Sequence, residues 1–209
     1  MSKVKSGANR AQKAKETRAR MLDAARELFV RQGYGTTALQ DIADLAGVAV
    51  QTIYFTFGNK RALLKELVDV TLAGDDAPVA TMDRPWFRES LDAETAPGQL
   101  RSHLRGTRQM LERVAPITEM LRAAAAADSG VAELWDEQTD PRFTVHATAA
   151  RALVAKPGAR EGVPEELAAD LLYGLLSPEL YLVFVRDRGW SPDRWERWAY
   201  ETLSSQLCA

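Results

Sequence analysis

Residues 33–64, GYGTTALQDIADLAGVAVQTIYFTFGNKRALL, hold two short helical patterns joined by a glycine-centred turn, then a third helix start marked by a lysine. Leu39, Ile42 and Ala43 make an i, i+3, i+4 stripe, the spacing of one helix face. Thr36 and Thr37 precede that stripe, where a hydroxyl can accept from the free N–H groups of a first turn. Gly47, within Ala46-Gly47-Val48, supplies the left-handed backbone that a tight exit needs. Ala49 to Phe57 is long enough for about two turns of a second helix. This is a helix-turn-helix pattern, whose second helix can enter the major groove of DNA.

The rest of the chain reads as helix. Met21, Leu22, Ala25, Leu28 and Phe29 lie on one face of a first helix ending at Gly33, and Leu63, Leu64, Leu67, Val68 and Thr71 repeat the pattern after Lys60. Residues 74–98, rich in Gly, Asp and Pro, read as a loop with a short helix around Trp86-Phe87. Further helices are expected over about 98–114, 116–127, 129–156, 164–187 and 191–207, with Pro116 opening one helix, Pro178 kinking another, and Ser191 and Pro192 capping the last. Strand signals are nearly absent, so the fold class is all-α: a three-helix head over 1–65 and a larger helical body over 66–209.

Residues 33–64 resemble the TetR family of bacterial transcriptional repressors. Gly33-Tyr34, Thr37, Ile42-Ala43, Ala46-Gly47-Val48, Thr52-Ile53-Tyr54, Phe57 and Asn59-Lys60-Arg61-Ala62-Leu63-Leu64 carry the likeness, which runs without a gap from about Thr17 to Leu67. Two positions depart from the family pattern. Ala49 stands where the family usually has Ser or Thr, removing one phosphate-binding hydroxyl. Thr56 stands where it often has His or Tyr, shortening one backbone contact. The resemblance implies a DNA-binding head, an effector pocket in the body, and pairing of two copies through the last two helices.

Charge distribution agrees with a polyanion partner at one end. Residues 1–65 carry 12 Lys/Arg against 5 Asp/Glu, or +7, while the remainder carries 15 against 24, or −9. A basic head on an acidic body is the footprint of a nucleic-acid contact confined to the head. The expected DNA contacts are Thr37 and Gln40, then Val50, Gln51, Thr52, Tyr54, Phe55 and Thr56 of the second helix, then Lys60. Gln can bond adenine bidentately, Val or Phe can meet a thymine methyl, and a lysine at a helix N-terminus attracts phosphate. The basic residues Lys3, Lys5, Arg10, Lys13, Lys15, Arg18 and Arg20 suit either a solvated tail or a backbone-tracking arm.

The body offers two further patterns. Residues 167–185 are apolar on nearly every side, and Trp195 and Trp198 lie on a stripe of the final helix. Leu172, Leu176, Leu180, Val183, Trp195 and Trp198 are therefore expected at a homodimer interface, with a monomer core helix as the alternative. Met110, Met120, Trp135 and Phe143 beside His103, Arg108, Glu119 and His146 form a set that suits a small-molecule pocket, although core packing is the stronger reading for any one of them.

Catalysis finds no support. His103 and His146 are far apart in sequence and no Cys or acidic group stands at metal-ligand spacing, so neither metal nor cofactor is expected. The single cysteine, Cys208, excludes an intrachain disulfide, and Met1–Arg20 lacks the apolar stretch of a secretory signal. Asp170, Pro178 and Glu179 interrupt the apolar run, which reads as buried helix rather than a membrane span. The expectation is a cytoplasmic, dimeric repressor that binds a near-palindromic double-stranded operator and is released by a small apolar effector. The alternative is a structural or tethering DNA-binding protein that uses the same head without an effector.

Overall fold

A computed structural model describes residues 2–73, 81–133 and 141–209. Among them every regular element is helical, apart from an isolated bridge between Ala159 and Cys208. In chain order the helices are α1 (Ser2–Gln32), α2 (Leu39–Ala46), α3 (Val50–Phe57), α4 (Lys60–Ala73), α5 (Pro85–Asp92), α6 (Ala96–Ala127), α7 (Ser129–Ala132), α8 (Pro141–Val154), α9 (Glu165–Leu175), α10 (Pro178–Leu182) and α11 (Pro192–Leu207). The described residues fall into two compact units: up to 70 with 120–133, and 71–119 with 141–209.

The first unit is built around the apolar face read from the sequence. Met21, Ala25 and Phe29 of α1, Ile42 and Ala43 of α2, Ile53 of α3 and Leu63, Leu64 and Leu67 of α4 are all buried. Gly47 has φ +67° and closes α2: its N–H reaches the Asp44 carbonyl at 3.2 Å and the Val48 N–H reaches Ala43 at 3.0 Å. A side chain there would cost about 1–2 kcal/mol of backbone strain.

The threonines expected to cap α2 do something else. Thr36 and Thr37 donate their hydroxyls to the Gln32 and Gly33 carbonyls, closing the end of α1. Helix α2 instead starts at Ala38, whose N–H donates to the Asp41 carboxylate at 3.0 Å. Gly33, at φ +91°, turns the chain so that the two hydroxyls lie back over the open carbonyls.

Three helix boundaries expected beyond residue 98 are corrected. Pro116 does not open a helix; α6 runs through it for 32 residues. One intrahelical hydrogen bond is lost there, but Leu111, Val114, Ala115, Ile117 and Thr118 are buried on either side and hold the helix together. Residues 164–187 are two helices rather than one kinked helix, because Ser177 caps α10, accepting from the Leu180 N–H at 3.3 Å, and Pro178 takes its first position. The bend between them is 42°. A π-helical turn, Val183–Asp187, ends the segment. Residues expected in one long helix over 129–156 form α7 and α8, with 134–140 outside the described residues. Among the described residues no single helix is long and apolar enough to cross a membrane.

The core of this unit takes in Leu100, Leu104, Leu153, Leu172, Leu176 and Leu203 around a fully buried Trp195, whose ring meets Tyr181 edge-on at 5.0 Å. Trp86 of α5 lies directly on the α6 backbone at Gly106, where an added Cβ would stand 2.1 Å from the indole. Gly106→Ala must therefore push Trp86 off α6, and overpacking of this kind costs about 1–3 kcal/mol. Urea denaturation followed by circular dichroism should show that loss in the wild-type background and not in Trp86→Ala. An equal loss in both backgrounds would show that Gly106 is needed for some reason other than the indole.

Candidate nucleic-acid interface

Helix α3 is short, and its sequence divides cleanly between two faces. Ile53 and Phe57 point into the head core. Gln51, Tyr54 and Phe55 point outward, with Val50, Thr52 and Thr56 half-buried between. Phe55 is 93% exposed and Tyr54 52%, an unusual state for large aromatic side chains, and none of the described residues covers them. The Thr56 hydroxyl is committed, donating to the Thr52 carbonyl at 2.7 Å. Ala49, at the N-cap position, supplies no side-chain acceptor.

Helix α4 follows α3 after two residues. Asn59 caps it, its side-chain oxygen accepting from the Ala62 N–H at 2.8 Å. The Lys60 ammonium lies 4.3 Å from the centre of the Tyr34 ring and 3.5 Å from the Gly35 carbonyl. Partial burial lowers its pKa, and the Asp128 carboxylate opposes that shift. Burial likewise raises the Tyr34 phenol. Tyr34 is thus a shelf that holds the lysine stem, with its ring 5.3 Å from Phe29 in the core.

Two expected contacts stand elsewhere. Thr37 is buried with its hydroxyl on Gly33, so it supports the α1–α2 turn from behind and is not on the outward face. Gln40 is exposed but its amide donates to Asp44 at 2.7 Å. Arg18, read as part of the basic arm, is tied to the head: it pairs with Glu66 of α4 and lies 5.1 Å over the Phe57 ring. The register could have shown this, since residue 18 precedes the buried Met21 and Leu22 by three and four positions. The Asn59 cap was equally open to sequence reading.

The body residues expected to line a pocket separate into groups. His103 and His146, both buried, face each other with Nε2 and Nδ1 3.4 Å apart. Phe143 stands near them through Tyr173, whose ring is 5.7 Å from Phe143 and 6.4 Å from His146. Trp86 and Phe87 complete this aromatic surround. Arg108 instead bonds Glu196 at 2.6 Å and pairs with Glu112, while Glu119 pairs with Arg186. Met110 is half-buried, Met120 is buried in the first unit, and Trp135 lies outside the described residues. The dimer set also divides. Leu172, Leu176 and Trp195 belong to the chain's own core, because the bend at Ser177 lets α9 and α10 each bury one face. Leu180 and Trp198 are half-buried, and Val183 is 44% exposed together with Leu167 at 48%. No group of three or more metal-binding side chains occurs among the described residues.

Residues 21–67 match the family of bacterial regulatory proteins known as the tetR family. The HTH-type transcriptional regulator TtgR of Pseudomonas putida is 45% identical over 58 residues, a stretch covering 28% of this chain and 28% of that protein. The chain therefore aligns with well under half of that relative's length. Likeness over the whole fold comes from solved structures. NalD, the secondary repressor of the MexAB-OprM multidrug efflux pump in Pseudomonas aeruginosa, is 22% identical with a TM-score of 0.58, covering 93% of this chain and 98% of its own. A protein of Saccharomonospora viridis solved in complex with choline is 19% identical with a TM-score of 0.66, covering 93% and 99%.

The His103–His146 pair generates a pH signature. Burial pushes His103 down from 6.5 to about 4. Below pH 6.5 the unfolded chain takes up a proton that the folded chain refuses until about pH 4, so stability is lost as the pH falls through that window. At the lower end the loss from this group is on the order of 3 kcal/mol. Urea midpoints measured from pH 7 to 4.5 should fall more steeply for wild type than for His103→Leu. Parallel curves would mean that His103 is not held neutral in the folded state.

Proposed function

We propose that this chain, whose head is that of the tetR family of bacterial regulatory proteins, is a dimeric, sequence-specific DNA-binding transcriptional repressor released by a small, largely apolar effector. The observation that carries the reading is the outward face of α3. A two-turn helix held on a buried stripe presents Gln51, Tyr54 and a 93% exposed Phe55, and Lys60 opens the next helix with its ammonium over the Tyr34 ring. Gln51 and Val50, early in the helix, read base edges, and Phe55 meets thymine methyls. Tyr54, Thr52 and Lys60 bind phosphate and set the register. The hydroxyl of Thr56 turns inward, so its contact is through van der Waals surface.

Dimerisation and effector release rest on different supports. Leu167 and Val183 leave exposed apolar surface on the α9–α10 segment, as expected of a face that a second copy covers. The repressor NalD and the choline complex supply the comparison for repression and for a small-molecule ligand. An effector acts only through its differential affinity for two states of the dimer.

Lys60→Ala should weaken binding to all duplexes alike and reduce the salt slope by about 1, read by fluorescence anisotropy across a salt series. Gln51→Ala with Val50→Ala should change the preferred site in selection from random DNA, with discrimination altered by roughly 1–3 kcal/mol per contact. An unchanged slope for the first, or an unchanged site for the second, overturns the role given to that residue. In sedimentation, wild type should run near twice 23.1 kDa, and Leu167→Glu with Val183→Glu should run as a folded monomer. A wild type that is monomeric at micromolar concentration removes the dimer from the reading.

A further inference from the structure

Beside Lys60 the structure holds an arrangement that DNA binding alone does not require. Arg61 extends from the first turn of α4 toward the turn between α6 and α7. Its Nη2 lies 3.8 Å from Oδ1 of Asp128. The same Oδ1 accepts the Gly130 N–H at 2.9 Å, capping α7. Gly130 is buried directly beneath the guanidinium: a Cβ there would lie 1.8 Å from Nη2 and 2.1 Å from Cζ of Arg61. The absence of a side chain at 130 is thus what lets Arg61 lie down on this turn. Asp128 also lines, with Lys60, Tyr34, Gly35 and Ser129, a cleft of about 550 Å³ in the same compact unit. Both cations at the start of α4 therefore have one carboxylate in common.

That carboxylate has the chemistry of the ligand the cations are expected to take. A phosphodiester and a carboxylate both present an anionic oxygen pair, and an arginine pairs with either. The Arg61 and Asp128 side chains are 48% and 41% exposed, so their ion pair is weak and open to exchange. From these facts we infer that Asp128 is an internal competitor for the DNA backbone: it occupies Arg61 and attracts Lys60, holding down the head's affinity for phosphate. The inference rests on the DNA-binding reading above and adds a regulatory residue and a further phosphate-binding residue, Arg61, to it. Formation of the DNA complex then exchanges the Arg61–Asp128 pair for an Arg61–phosphate pair.

The test uses the full chain and a random-sequence 24-base-pair duplex, because phosphate contacts are read without a preferred site. Asp128→Asn removes the charge and keeps the side-chain oxygen that caps Gly130. It should tighten binding about 3- to 10-fold near 0.1 M salt and steepen the salt slope by about 1. Arg61→Gln should change wild-type affinity little and abolish the gain when combined with Asp128→Asn. Asp23→Asn, on the exposed side of α1, makes the same change in net charge and should leave the slope where it was. Gly130→Ala displaces the guanidinium by volume alone and should give part of the same gain, again only with Arg61 present. Equal affinity and slope for wild type and Asp128→Asn would reduce Asp128 to a helix cap and overturn the inference. Weaker binding would overturn it as well, since the carboxylate would then be organising α4 for DNA. A gain that survives Arg61→Gln would show general repulsion rather than competition. Failure of the wild-type chain to bind any duplex is a different result, and it sinks the DNA-binding reading itself.

Discussion

Two eight-residue helices cannot hold themselves together in water, and everything the head does depends on what they bury. Isolated helices of this length are marginal even in favourable sequences, because nucleation is costly and few hydrogen bonds follow it. Helices α2 and α3 exist because Ile42, Ala43, Ile53 and Phe57 leave water against α1 and α4. Full burial of one large side chain contributes about 1.5–3 kcal/mol, so burial of the three large ones, Ile42, Ile53 and Phe57, is set against the cost of forming the helices. The outward face of α3 is free to carry function for the same reason. Its inward face alone fixes the helix, and Gln51, Tyr54 and Phe55 contribute nothing to the core.

The head was largely legible in the sequence because its determinants are local. A glycine with positive φ, an i, i+3, i+4 stripe and a lysine after Asn59 each act within a few residues. The threonine caps failed for a local reason too. Gly33 and Gly47 are both turn glycines, and the sequence does not say whether a hydroxyl after the first serves the helix before it or the helix after it. In the structure it serves the helix before.

The body was less legible because its determinants are not local. Periodicity marked residues 167–185 as apolar all round but could not divide them between the chain's own core and an outward face. The division is made by the Ser177 cap and the 42° bend, which turn Leu172 and Leu176 inward and leave Leu167 and Val183 out. Trp195, placed by its pattern at an interface, is the largest fully buried side chain among the described residues. The Trp86 position depends on a missing side chain twenty residues away, at Gly106. No window of sequence around either residue contains that information. His103 and His146 were named together for composition, and their direct contact comes from the pairing of α6 with α8.

Where the chain departs from ordinary packing, the departures fall at the places given a role. A phenylalanine 93% in water on α3 gains nothing from folding and has a use only when a partner covers it. A buried imidazole pair in aromatic surroundings loses hydration, its members share a 3.4 Å contact, and among the described residues His103 Nδ1 has no hydrogen-bond partner. Arg61 and Asp128 form a weak, half-exposed pair over a glycine whose missing side chain leaves room for the guanidinium. On the proposed function, the DNA-bound state is the one in which the exposed ring is covered and the weak Arg61–Asp128 pair is exchanged for a stronger one.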